Sequence, residues 1–85
     1  MGLDLLNLTL IVEDEFEITI PNERAEAIKT PGQLVDYLLS CSELSKKWSR
    51  EYVHLSVWMI LEEFLGDKRQ NYNDDSRFVE DMGFD

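Results

Sequence analysis

Side chains able to do covalent or acid–base chemistry are sparse in this chain. It holds one cysteine, Cys41, and one histidine, His54. A thiol becomes a working nucleophile when a base stands beside it to take the proton, but these two residues fall on different predicted helices. Cys41 reads as a small, partly buried residue near a helix end. One His and one Cys are also too few for a zinc site, and no metal is expected. The Asp and Glu residues are numerous, but they come with no convergent base or nucleophile, so no catalytic constellation forms and no enzyme is expected. That leaves hydroxyl groups. Ser76 follows Asp75 and precedes a short predicted helix, where it reads as an N-cap. Ser42, Ser45 and Ser49 lie in a serine-rich stretch with Lys46 and Lys47.

These side chains have to be positioned by helices. Over residues 3–16, Leu5, Leu8, Val12 and Phe16 recur at three- and four-residue intervals, which puts them on one helix face. Asp4 sits in the first turn, where a carboxylate favours the helix dipole. Residues 17–21 alternate like a strand, but with no second strand to pair with they are expected to form an extended loop, and Pro21 biases Ile20 away from helix. Asn22 reads as the N-cap of a short helix, Glu23–Ala27. Thr30-Pro31 reads as an N-cap with proline at the first helical position, opening a helix over 31–41 with Leu34, Tyr37, Leu38 and Cys41 on its apolar side.

Residues 42–49 form a linker or the start of the next helix. That helix, about 50–65, is the longest and ends before Gly66 as a C-cap residue. Its apolar residues run from Tyr52 to Leu65 and are too broad for a single stripe, so the helix is buried on several sides or part of it is an interaction surface. A polar loop comes next, over 67–75, with Tyr72 as its apolar anchor, and Ser76 caps a last short turn, 77–82. With no other regular element, the helical faces must pack on one another in a single all-α domain covering 1–85.

Eighty-five residues support one small core. Eight Lys+Arg against eighteen Asp+Glu give a net charge of -10. Such a surface repels nucleic acid and anionic lipid and suits a basic protein partner. The acids concentrate at the two ends of the chain, while residues 29–51 carry four bases against three acids. Hydrophobic residues make up 44% of the chain, which argues for a folded domain in spite of the charge. No apolar run of about 18 residues is present for a membrane span, and the N-terminus has no basic region of the signal-peptide kind, so the expected location is cytoplasmic.

The two ends carry a further pattern. The last residues read F-V-E-D-M-G-F-D (Phe78–Asp85), and the first read G-L-D-L-L-N-L-T-L-I-V-E-D-E-F-E-I-T-I-P (Gly2–Pro21). Written tail to head, they resemble the centre of the acyl carrier protein family, where F-x-x-D-L-G-x-D leads into D-S-L-D and an acidic helix ending E-E-x-F-x-x-x-I-P. The order is swapped, as in a circular permutation. The resemblance implies a four-helix bundle in the order carrier helices 2-3-4, linker, helix 1. In that reading residues 1–41 correspond to helices 2–4, residues 42–50 to the linker, and residues 50–85 to helix 1 and the loop to the attachment site. It also implies that Asp85 and Met1 lie close in space.

In that family a serine carries 4'-phosphopantetheine. Gly2 stands at that position here, flanked by Asp85, Leu3 and Asp4, and has no hydroxyl to modify. The resemblance therefore implies a binding module without its own arm and without a cofactor. It would dock on the basic surface of an enzyme of fatty-acid, polyketide or related acyl metabolism through Asp4, Glu13, Asp14, Glu23 and Glu26, with Leu6 and Leu10 as an apolar strip beside the acids. Two alternatives stay open: a working carrier modified on Ser76, and a bundle that binds an acyl ligand non-covalently. Trp58 and Met59, polar in typical carriers, either cover the linker at Leu44 and Trp48, the favoured reading, or form a dimer contact in a chain otherwise expected to be monomeric.

Overall fold

The computed structural model describes residues 2–41 and 46–84. Four helices carry most of the regular structure among them: α1 (Leu3–Phe16), α2 (Asn22–Ala27), α3 (Pro31–Ser40) and α4 (Arg50–Leu65), with a helical stretch at 46–47 and a 3-10 helix at Gly66–Asn71. No strand occurs among the described residues.

Helix α1 forms because Leu8, Val12 and Phe16, one turn apart, all bury in the core, with Leu5 packed at its edge. It stops at Glu17, whose backbone is left-handed (φ 55°), while the Ile18 amide reaches back five residues to the Glu13 carbonyl at 3.1 Å. This reach-back is the Schellman stop, and it occurs here without the usual glycine. The Glu13 side chain then accepts the Ile20 amide at 2.6 Å, which turns the chain so that Ile20 enters the core. Residues 18–20 thus form the expected loop, held by Glu13. Asn22 is the first helical residue of α2 rather than its cap: Pro21 occupies the cap position, and its carbonyl accepts the Arg24 and Ala25 amides.

Helix α3 opens as expected, with Thr30 accepting the Gln33 amide and Pro31 in the first turn. Gln33 in turn accepts the Lys29 amide at 2.6 Å, a close relative of the capping box. Ser49 caps α4 by accepting the Tyr52 amide, so the last serine of the polar stretch is a helix cap. Arg50 pairs with Asp36 at 2.6 Å and ties the start of α4 to α3.

Helices α1, α3 and α4 bury Leu8, Val12, Phe16, Leu34, Val35, Leu38, Val53, Val57, Ile60, Leu61 and Leu65 against one another. The tail closes this core with Phe78 and Phe84, whose rings stack at 5.9 Å, and Phe84 meets Phe64 at 5.5 Å. The radius of gyration, 12.0 Å, equals the roughly 12 Å expected of a fully collapsed chain of this length.

Two expectations are corrected. The predicted polar loop begins as a 3-10 helix, because Gly66 (φ 56°) redirects the backbone where the α-helical ladder ends with its amide on the Glu62 carbonyl. The expected last short turn forms over residues 78–82, where the Asp81 amide donates to the Arg77 carbonyl at 3.0 Å and the Gly83 amide to the Val79 carbonyl at 3.2 Å. The expected packing of Trp58 on Leu44 lies outside the described residues, and at 3% exposure Trp58 offers no surface for a dimer. It lies beneath the segment just after α4, because its indole N–H has a carboxylate to donate to there.

Candidate docking surface and attachment position

The acceptor is Asp74. Its Oδ1 takes the Trp58 indole N–H at 2.8 Å, and its two oxygens lie 2.9 and 3.0 Å from His54 Nε2. Arg69 stacks over the Trp58 ring, 3.8 Å from its centroid. His54 and Trp58 share a face of α4 one turn apart, so a single carboxylate reaches both. Burial pushes the Asp74 carboxyl up, but the hydrogen bonds from Trp58 and His54, aided by the charges of His54 and Arg69, outweigh it and hold it below the usual carboxylate value. The Asp74 carbonyl accepts the Gly32 amide at 2.9 Å, and a Cβ on Gly32 would lie 3.1 Å from that oxygen. The cluster fastens the 66–75 segment to α3 and α4. Its lone sequence signal is the His54/Trp58 spacing, since the partner carboxylate arrives from a loop. It also occupies His54, while the Cys41 thiol, partly buried, lies 3.6 Å from the Tyr37 carbonyl.

Ser76 has a structural task. Its hydroxyl accepts the Asn73 amide at 2.9 Å and its own amide donates to the Asn73 carbonyl, while the Asn73 side chain accepts the Asp75 amide. It closes the turn before it and does not cap 77–82. There, the Arg77 amide donates to the Asp81 carboxylate at 2.7 Å.

Gly2 lies at the N-cap of α1 with an extended backbone (φ -77°, ψ 173°) and makes no side-chain cap, while its carbonyl accepts the Leu6 amide at 3.0 Å. Beside it the α1 surface is apolar: Leu3, Leu6 and Leu10, spaced by three and four residues, are exposed, Leu6 by 43% and Leu10 by 52%. Asp14 on α1 and Glu23 and Glu26 on α2 face solvent. Asp4 is partly buried, and Glu13 is committed on one side to the Ile20 amide. The structure therefore leaves Asp14, Glu23 and Glu26 fully on the surface and gives Glu13 a second task. Met1, Asp85 and Leu44 lie outside the described residues, and with them the expected meeting of the chain ends and the packing on Leu44.

The neighbouring parts of those ends do come together. Leu5, near the start of α1, lines one groove of about 370 Å³ with Phe78, Val79 and Glu80 of the tail and with Ala25 and Ile28. The Phe78 amide, bonded to the Lys29 carbonyl at 2.9 Å, holds the tail in place. Beneath that groove lies an apolar cavity of about 20 Å³, bounded by Leu8, Val12, Ile20 and Leu34 among others. It has room for about one or two waters and none for an extended acyl chain.

The sequence is similar to an acyl carrier protein. It is 42% identical over 42 residues to the acyl carrier protein of Clostridium perfringens (strain SM101 / Type A), a stretch covering 49% of this chain and 55% of that protein. The chain thus spans about half the length of this curated relative. No family model matches it, and no solved structure does. The all-helical bundle agrees with this similarity. Among the described residues no helix is long and apolar enough to cross a membrane, and no cluster of His, Cys, Asp and Glu could hold a metal ion.

Proposed function

We propose that this protein is an acyl-carrier-like binding module, permuted in order and without its own phosphopantetheine arm. It docks on a basic surface of an enzyme of fatty-acid, polyketide or related acyl metabolism, through the face formed by α1 and α2. The observation that carries this reading is the position of Gly2. It caps a helix whose exposed strip, Leu3, Leu6 and Leu10, adjoins solvent-facing Asp14, Glu23 and Glu26. An apolar strip with an acidic rim is a stronger interface signal than charge alone, and at the helix start glycine supplies no nucleophilic oxygen.

Two observations support the permuted order. Leu5 shares its groove with Phe78, Val79 and Glu80, so the two separated parts of the motif stand side by side. The similarity covers one stretch of 42 residues, about half of each protein, as one collinear segment of a rearranged chain would. The module is read as non-catalytic, monomeric and cytoplasmic, where such biosynthetic enzymes work.

The test is intact mass after incubation with coenzyme A and a promiscuous phosphopantetheinyl transferase. The chain is expected to gain nothing. A gain of one phosphopantetheine refutes the arm-less reading, and mapping it to Ser76 establishes the alternative of a working carrier.

A further inference from the structure

The broad apolar surface of α4 is divided in two by the fold. Val53, Val57, Ile60, Leu61 and Leu65 enter the core, while Tyr52, Leu55 and Met59 stay outside, Leu55 exposed by 55% and Met59 by 68%. Their spacing of three and four residues aligns them along one side of the helix. The helix α1 packs antiparallel beside that side. Glu15 of α1 lines one groove with Tyr52, Leu55 and Met59, Leu10 of α1 lines a second with Phe64, and Glu63 lies in both. The two grooves, about 410 and 360 Å³, share Glu63 in their linings. From Tyr52 to Glu63 the trough runs about 17 Å, the length of three helical turns. Trp48 stacks on Tyr52 at one end, with ring centroids 4.4 Å apart.

We propose that the trough between α1 and α4 is a second docking site, and that its occupant is a basic amphipathic helix of a partner protein. Its floor supplies the feature that a partner helix reads in such a groove, an apolar line at helical spacing. Its rim supplies the sign of charge. Glu15 and Glu63 are exposed and take part in no ion pair among the described residues, and no basic side chain lines either groove. The one base in the first turn of α4, Arg50, is drawn away to Asp36. The charge argues against a second copy of this chain. Each copy carries -10, and a two-fold contact here would set Glu15 and Glu63 against their own counterparts, which like-charge juxtaposition disfavours. The site is separate from the α1–α2 face and stands whether or not that face docks as proposed.

The experiment titrates the ¹⁵N-labelled full chain with a synthetic leucine–lysine peptide of about 18 residues patterned as an amphipathic helix, beside a leucine–glutamate peptide of the same pattern. Saturable shifts are expected at Tyr52, Leu55, Met59 and Glu63 with the basic peptide alone. Leu55→Glu and Met59→Glu, both at exposed positions, are each expected to weaken binding about tenfold or more, whereas Thr19→Glu, at an exposed position outside both faces, leaves it unchanged. Shifts confined to Asp14, Glu23 and Glu26, equal binding of the acidic peptide, or no saturable binding overturns the proposal. A dimer in sedimentation equilibrium that Met59→Glu dissolves overturns it in favour of a second copy.

Discussion

The indole N–H of Trp58 donates to the carboxylate of Asp74 across 2.8 Å, joining the middle of α4 to a loop sixteen residues further on. Trp58 is otherwise buried, so this bond keeps a polar atom satisfied where water does not reach. The same carboxylate holds His54, and its backbone carbonyl holds Gly32. One residue therefore fastens the 66–75 segment to both α3 and α4.

Removing either partner should destabilise the fold. Asp74→Ala leaves a buried indole N–H unpaired, and a loss of about 1.5–3 kcal/mol is expected, as for a hydrogen bond to a charged group. Trp58→Phe removes the donor and should cost less than Asp74→Ala, because Asp74 keeps His54 and a partly solvated carboxylate. Urea denaturation of the two single variants and the double variant measures this; a coupling energy near zero would show that the bond is idle.

The same carboxylate sets a pH dependence. Its folded pKa lies below its ordinary value, so the unfolded chain binds the proton more readily. The associated stability is fully present above the ordinary carboxylate value and is lost as pH falls through the lower folded value. The effect is small because the Asp74 side chain is 48% exposed and water screens it. Asp74→Asn should lack this component, so acid titrations of the midpoint for wild type and variant should converge once the pH has fallen below the folded value of Asp74.

Glycine at position 2 leaves an N-cap empty. Gly2→Ser is expected to add a side-chain acceptor for the first-turn amides and a few tenths of a kcal/mol of stability. On the proposed reading it also restores the attachment hydroxyl. The variant should then gain one phosphopantetheine in the transferase assay in which wild type gains none.

That variant makes the α1–α2 face measurable. With Gly2→Ser as background, Asp14→Lys and Glu23→Lys should each slow loading several-fold. The slowing should fade at high salt, since exposed charges act within a Debye length of about 8–10 Å. Equal loading rates in all three proteins would remove these acids from the docking face.

Glu17 ends α1 with a left-handed backbone that costs an L-residue about 1–2 kcal/mol. Glycine avoids that cost and gives part of the gain back through unfolded-chain entropy. Glu17→Gly should therefore raise stability by up to about 1 kcal/mol, read as a higher urea midpoint at constant slope.

Much of this was already determined by the sequence itself. The buried line Leu8, Val12, Phe16 comes from spacing, and the Thr30-Pro31 start comes from capping chemistry. The exposure of Leu6 and Leu10 comes from the same helical period. All of these depend on neighbours within a turn or two of the chain. The features that tertiary structure alone decided depend on where distant segments return. Trp58 reads as surface or linker packing until Asp74 arrives to accept its indole N–H. Ser76 reads as a cap for residues 77–82 until Asn73 turns back to it. The wide apolar band of α4 has no inside or outside until α1 and α3 cover part of it and leave Tyr52, Leu55 and Met59 bare. A periodic pattern specifies which residues share a face, but only the packed chain specifies what covers that face.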